Sequence, residues 1–110
     1  MNAPRIYAYI DEKTRENLNA YAVSLGLKTN APLLGLLIVR ETHQRTLGPA
    51  TTGRGEAQQG KKVVAELSRA HADQFIKITK SLGRSRTDCA AELLNRELKE
   101  RWLERAVAAP

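Results

Sequence analysis

The residues able to do chemistry in this chain are few and scattered. Cys89 is the single cysteine, and His43 and His71 are the two histidines. His71 has no acid, thiol or second histidine at ligand spacing, so a metal site is not expected. No nucleophile–base pair, carboxylate dyad or phosphate-cradling glycine loop stands out. Neither an enzyme nor a cofactor is expected. His71 reads as a core or boundary side chain, and His43 as a solvated charge at a helix end. Trp102 reads as core or an oligomer contact. Cys89 falls in an opening helical turn, where a thiol's pKa can drop, yet it reads as a small buried thiol. What remains is outward positions set two apart, Arg5-x-Tyr7-x-Tyr9 and Lys62-x-Val64-x-Glu66, and the basic run Arg84-Ser85-Arg86-Thr87. Such spacing suits a binding face better than a reaction centre.

The elements that position these residues come from a repeat. Shifted by 57 residues, the chain aligns on itself without a gap from Arg5 to Arg40. In each copy an alternating run predicts a half-buried strand, with Ile6, Ala8 and Ile10 inside in the first and Val63, Ala65 and Leu67 in the second. Asp11 or Ser68 is then suited to cap a helix that Gly26 or Gly83 stops. Apolar spacing in that helix falls at Leu18, Tyr21, Ala22 and Leu25, and at His71, Phe75, Ile78 and Leu82.

A second helix follows, with Asn30 and Thr87 as expected caps. Ala91, Leu94, Leu98 and Trp102 form one stripe of its second copy, with Glu92–Arg96 and Glu97–Arg101 spaced to pair outside. Leu33 to Val39 is apolar nearly all round and predicts burial on several sides. Gly35 within it costs roughly 1 kcal/mol of helix propensity, which marks a close helix contact.

Residues 46–60 hold four glycines and a proline. They read as a tether of roughly 20 Å between a first unit at 1–45 and a second at 61–110. One copy alone has a single strand and too little apolar surface to close a core. Pairing strand 5–11 antiparallel with strand 62–68 solves both problems. A pairing between two whole chains satisfies the same physics, although the tether favours pairing within one chain.

Strand, capped helix, glycine turn and second capped helix, with Ser81-Leu82-Gly83-Arg84-Ser85-Arg86-Thr87-Asp88 between the later pair, resemble the ribbon-helix-helix family of the Arc/MetJ class. Two such units in one chain also resemble the tandem proteins that assist plasmid transfer. The resemblance implies a mainly α fold with a two-stranded antiparallel ribbon, two units sharing one core as an intrachain pseudo-dimer. It implies double-stranded DNA as the partner, with the ribbon in the major groove. On this chain the base-reading positions would be Arg5, Tyr7, Tyr9, Lys62, Val64 and Glu66. Phosphate would be held at the starts of the second helices by Lys28, Thr29, Asn30, Arg84, Ser85, Arg86 and Thr87. A transcriptional regulator or a relaxosome accessory is the implied role, with self-association on DNA and a relaxase or toxin as further partners.

Composition is compatible with this. Eighteen Lys+Arg against twelve Asp+Glu give a net charge of +6, which is compatible with a polyanionic partner and also common in soluble proteins without one. The aromatic fraction of 5% removes the usual lining of a small-molecule pocket. No membrane segment or export signal is legible, which predicts a cytoplasmic protein. The competing reading is a protein-interaction module, an antitoxin or scaffold, that captures a partner on the Leu33–Val39 helix or the Trp102 helix. Glu66 and the modest +2 of residues 1–57 (seven basic, five acidic) favour it.

Overall fold

The computed structural model describes residues 5–48 and 60–108. It is mainly helical, with one two-stranded antiparallel sheet. Strand β1 (Tyr7–Ile10) leads into α1 (Glu12–Ser24) and α2 (Asn30–Gln44); β2 (Lys61–Val64) leads into α3 (Arg69–Ser81), α4 (Arg86–Glu100) and a short α5 (Trp102–Ala108). The two strands belong to one chain and pair Tyr7 with Val64, Ala8 with Val63, Tyr9 with Lys62 and Ile10 with Lys61. The ladder is shorter than the sequence suggests, although Ala65 N–H still donates to the Ile6 carbonyl at 2.9 Å.

Alternation sets the two faces of the sheet. Ile6, Ala8, Ile10 and Val63 are buried, while Tyr7, Tyr9 and Val64 stand half-buried on the other side. The inward row joins Leu18, Leu33, Leu34, Ile38, Phe75, Cys89 and Leu94 in one core drawn from both halves of the sequence. His71 is a boundary residue, half-buried beside the Ser68 hydroxyl.

The first helices start and stop as their sequences require. The Asp11 carboxylate accepts from Thr14 N–H at 2.7 Å, and the Ser68 hydroxyl accepts from His71 N–H at 3.3 Å. The Thr14 amide holds the Asp11 carboxyl below its ordinary pKa. At the far end Gly26 and Gly83 take φ of +91° and +71°. Their left-handed turn lets Leu27 N–H reach the Ala22 carbonyl and Arg84 N–H reach the Thr79 carbonyl.

The second helices correct the gapless alignment. Their caps are Thr29 and Ser85, not Asn30 and Thr87. The turn from Gly83 to its cap is one residue shorter than the turn from Gly26, so α2 and α4 correspond at an offset of 56. Leu33, Leu34, Leu37, Ile38 and Glu41 are buried in α2, and Cys89, Ala90, Leu93, Leu94 and Glu97 in α4. Asn30 is carried inward by this register and is 5% exposed.

Both second helices end on an arginine in the left-handed region, Arg45 at φ 56° and Arg101 at φ 52°. A carboxylate from the same helix stabilises each turn. Glu41 Oε2 accepts from Leu47 N–H at 2.7 Å and Glu97 Oε2 from Leu103 N–H at 2.7 Å, with both leucines buried. Three expectations give way here. Residues 46–48 open the segment read as a tether, yet Leu47 is core; residues 49–59 lie outside the described residues. Trp102 starts a separate helix instead of extending the α4 stripe. Glu97 is turned inward, and Arg101 pairs with Glu104 at 2.7 Å. The expected Glu92–Arg96 pair is present at 2.6 Å.

Gly35 marks a close contact with backbone, not with another helix. A Cβ there would overlap the Glu66 carbonyl, and Glu66 N–H donates to the Ala31 carbonyl at 3.0 Å. Leu33–Val39 is buried on several sides, through Leu33, Leu34, Leu37 and Ile38, while Leu36 is 44% exposed.

Candidate nucleic-acid interface

The outward face of the sheet gathers four of the six expected reading positions. Tyr7 and Val64 face each other, as do Tyr9 and Lys62, and the Lys62 ammonium lies 4.6 Å from the centre of the Tyr7 ring. That cation–π contact holds both side chains on the surface and leaves ammonium protons free for an acceptor. Arg5 and Glu66 are exposed just beyond the two strands. Continuing the register sets them opposite one another, and no ion pair joins them among the described residues. Lys61 is exposed at the end of β2 but pairs with buried Ile10, on the other side of the sheet. The outward face and its rim therefore offer Arg5 and Lys62 against the single acid Glu66.

The first turn of α2 sits beside this face. The bond from Glu66 N–H to the Ala31 carbonyl ties the exit of β2 to the helix start. Thr29 and Lys28 are exposed there, and the Thr29 hydroxyl accepts from Ala31 N–H at 3.3 Å. Asn30 is not on this surface. Its Nδ2 points to the Arg15 carbonyl at 3.5 Å, because residue 30 is the first helical residue and no longer the cap.

At the start of α4, Ser85 is exposed and its hydroxyl accepts from Asp88 N–H at 3.0 Å, while Arg86 and Thr87 are half-exposed. Arg84 is engaged elsewhere. Its guanidinium bonds Asp88 at 2.8 Å and Glu92, and reaches the Gly48 carbonyl at 3.3 Å. Burial works against its charge, but Glu92 and Asp88 outweigh that and hold its pKa above the ordinary value. Arg86 is half-exposed and has no ion pair among the described residues.

No metal-ligating cluster occurs among the described residues, and no helix there is long and apolar enough to cross a membrane. Cys89 is fully buried, and burial pushes its thiol up to about 11.

The buried carboxylates were missed by the repeat at 57, although the sequence carries their signal. Glu41-Thr42-His43-Gln44-Arg45-Thr46-Leu47 and Glu97-Leu98-Lys99-Glu100-Arg101-Trp102-Leu103 share E-x-x-x-R-x-L at an offset of 56. Each supplies a helix stop, its carboxylate acceptor and a core leucine. Glu97 also accepts from the Tyr21 hydroxyl at 2.6 Å, across 76 residues of sequence.

No family model, curated protein or solved structure matches this chain.

Proposed function

We propose that this chain is a tandem ribbon-helix-helix protein that binds double-stranded DNA sequence-specifically with the outer face of its two-stranded sheet. The observation that carries this reading is the register. Tyr7 lies opposite Val64, its own counterpart 57 residues on. A strand pairs with its copy at matching positions when a two-fold axis passes between them. The two halves are then related as the subunits of a homodimer would be, and the outward face is the shared surface around that axis.

The face is not symmetric in chemistry, and this defines the expected site. On one side of the axis Arg5 stands opposite Glu66; on the other Lys62 stands opposite Tyr9. Arg5 can donate to guanine O6 and N7, and Glu66 can accept from a cytosine amine, so this end favours a G·C-containing half-site. Tyr9 and Lys62 offer one hydroxyl, one ammonium and an apolar ring edge, and Tyr7 and Val64 offer apolar surface to a thymine methyl. Lys28, Thr29, Ser85, Arg86 and Thr87 would hold the flanking phosphates, which set position without reading sequence. The recognised element is accordingly non-palindromic, and occupancy of such an element suits a repressor or an accessory that marks a transfer origin.

Selection of bound duplexes from a random pool tests this. Unlike half-sites are expected, and recovery of perfect inverted repeats counts against it. Arg5→Ala, Tyr7→Ala and Tyr9→Ala together should remove discrimination among sequences while the chain still unfolds in one cooperative transition. Each lost base contact accounts for about 1–3 kcal/mol.

A further inference from the structure

We infer that the groove between α2 and α5 is a docking site for a partner protein's amphipathic helix, one carrying acidic residues beside its apolar stripe. The inference stands apart from the DNA reading. The groove holds about 300 Å³ and is lined by Leu36, Val39, Arg40, His43, Trp102 and Leu103 with Gln44. Its floor is apolar, and Leu36 is among the most exposed large hydrophobic side chains described.

The second copy shows what is absent here. At the offset of 56, Leu36 corresponds to Glu92, Val39 to Asn95, Arg40 to Arg96 and Trp102 to Thr46. In that copy polar contacts bridge the region. Arg96 bonds Glu92 at 2.6 Å and the Thr46 hydroxyl at 2.7 Å, and Arg84 bonds Glu92 from the other side. In the first copy Arg40 keeps the matching contact, lying 4.3 Å from the centre of the Trp102 ring. Its carboxylate is gone, because Leu36 stands where Glu92 would be. Arg40 bonds Gln44 at 3.0 Å, and no ion pair of Arg40 occurs among the described residues.

An apolar floor bordered by a cation without its acid calls for an occupant that brings both groups. A helix supplies them at i, i+3, i+4 and i+7: apolar side chains onto Leu36, Val39 and Leu103, and a carboxylate to Arg40. A second copy of this chain fits poorly, since its net charge of +6 meets a basic rim of Arg40 and His43.

The test uses the full chain, immobilised, against a phage-displayed library of short helical peptides randomised at those positions. Enriched peptides should carry an apolar stripe flanked by Asp or Glu. Their affinity should fall by about tenfold or more on Leu36→Glu, which hands Arg40 an acid from within. Arg40→Gln, a milder change on a half-exposed residue, should remove the preference for acidic peptides over neutral ones while the melting temperature holds. Three results each overturn the proposal: no enrichment relative to the Leu36→Glu chain, enrichment of peptides without acids, or a chain dimer in solution that Leu36→Glu dissolves.

Discussion

Replacing Tyr21 with phenylalanine tests how the two halves are tied together. The Tyr21 hydroxyl donates to Glu97 at 2.6 Å and accepts from Glu104 N–H at 3.1 Å, so it joins α1 to both α4 and α5. Phenylalanine keeps the ring and the guanidinium of Arg101 above it at 4.8 Å. The loss is then one hydrogen bond to a carboxylate that is 2% exposed and retains Leu103 N–H. Such a bond contributes about 1.5–3 kcal/mol net, so a loss of about 2 kcal/mol is expected, or roughly 8–16 °C in melting temperature. Urea unfolding should show a lower midpoint at unchanged slope. A double-mutant cycle with Glu97→Gln should return a coupling of about 1 kcal/mol or more.

The same substitution has a signature in pH. Burial first, and the Glu97 acceptor second, push the Tyr21 phenol from 10 up to about 12. The folded chain therefore holds this proton more tightly than the unfolded chain does. That contribution is whole below pH 10 and is lost as the pH rises through about 12. Wild-type stability should fall more steeply over that window than that of the phenylalanine variant. A loss under about 0.5 kcal/mol, or an additive cycle, would refute the tie.

Other substitutions separate packing from binding. Gly35→Ala should destabilise by about 1–3 kcal/mol in urea despite the roughly 1 kcal/mol gain in helix propensity, because the new methyl meets the Glu66 carbonyl. Cys89 should resist a thiol-reactive disulfide reagent in the folded chain and react fully in denaturant, as its burial and raised pKa require. Arg86→Ala should lower the slope of log affinity against log salt by about 0.9, one phosphate contact, with stability unchanged. Arg84→Ala should instead cost about 0.5–1 kcal/mol of stability, since Asp88 is part-exposed and Glu92 keeps Arg96 as a partner.

Much of this architecture is legible in the residues. The strand faces, the caps Asp11 and Ser68 and the stops Gly26 and Gly83 follow from side-chain period and backbone sterics, which act over a few neighbours. The second helices were harder because Thr29 and Asn30, and Ser85 and Thr87, are all competent caps. What decides between them is tertiary: one register buries Leu33 and Cys89 in the shared core and turns Glu41 and Glu97 inward. Glu97 and Arg101 also satisfy the i, i+4 rule for a surface pair, so local spacing pointed outward for a side chain that Tyr21 draws in from 76 residues away. On the candidate interface, Tyr7, Tyr9, Lys62 and Val64 follow from alternation alone. Asn30 and Arg84 do not, since their engagement depends on Arg15 and Glu92, which only folding brings near.

The most direct test of the central claim is photocrosslinking to a selected duplex from a benzophenone amino acid placed at position 9 in one protein and at position 36 in another. Position 9 should crosslink to bases in the major groove and position 36 should give no DNA adduct. Adducts from position 36 with none from position 9 would contradict the account.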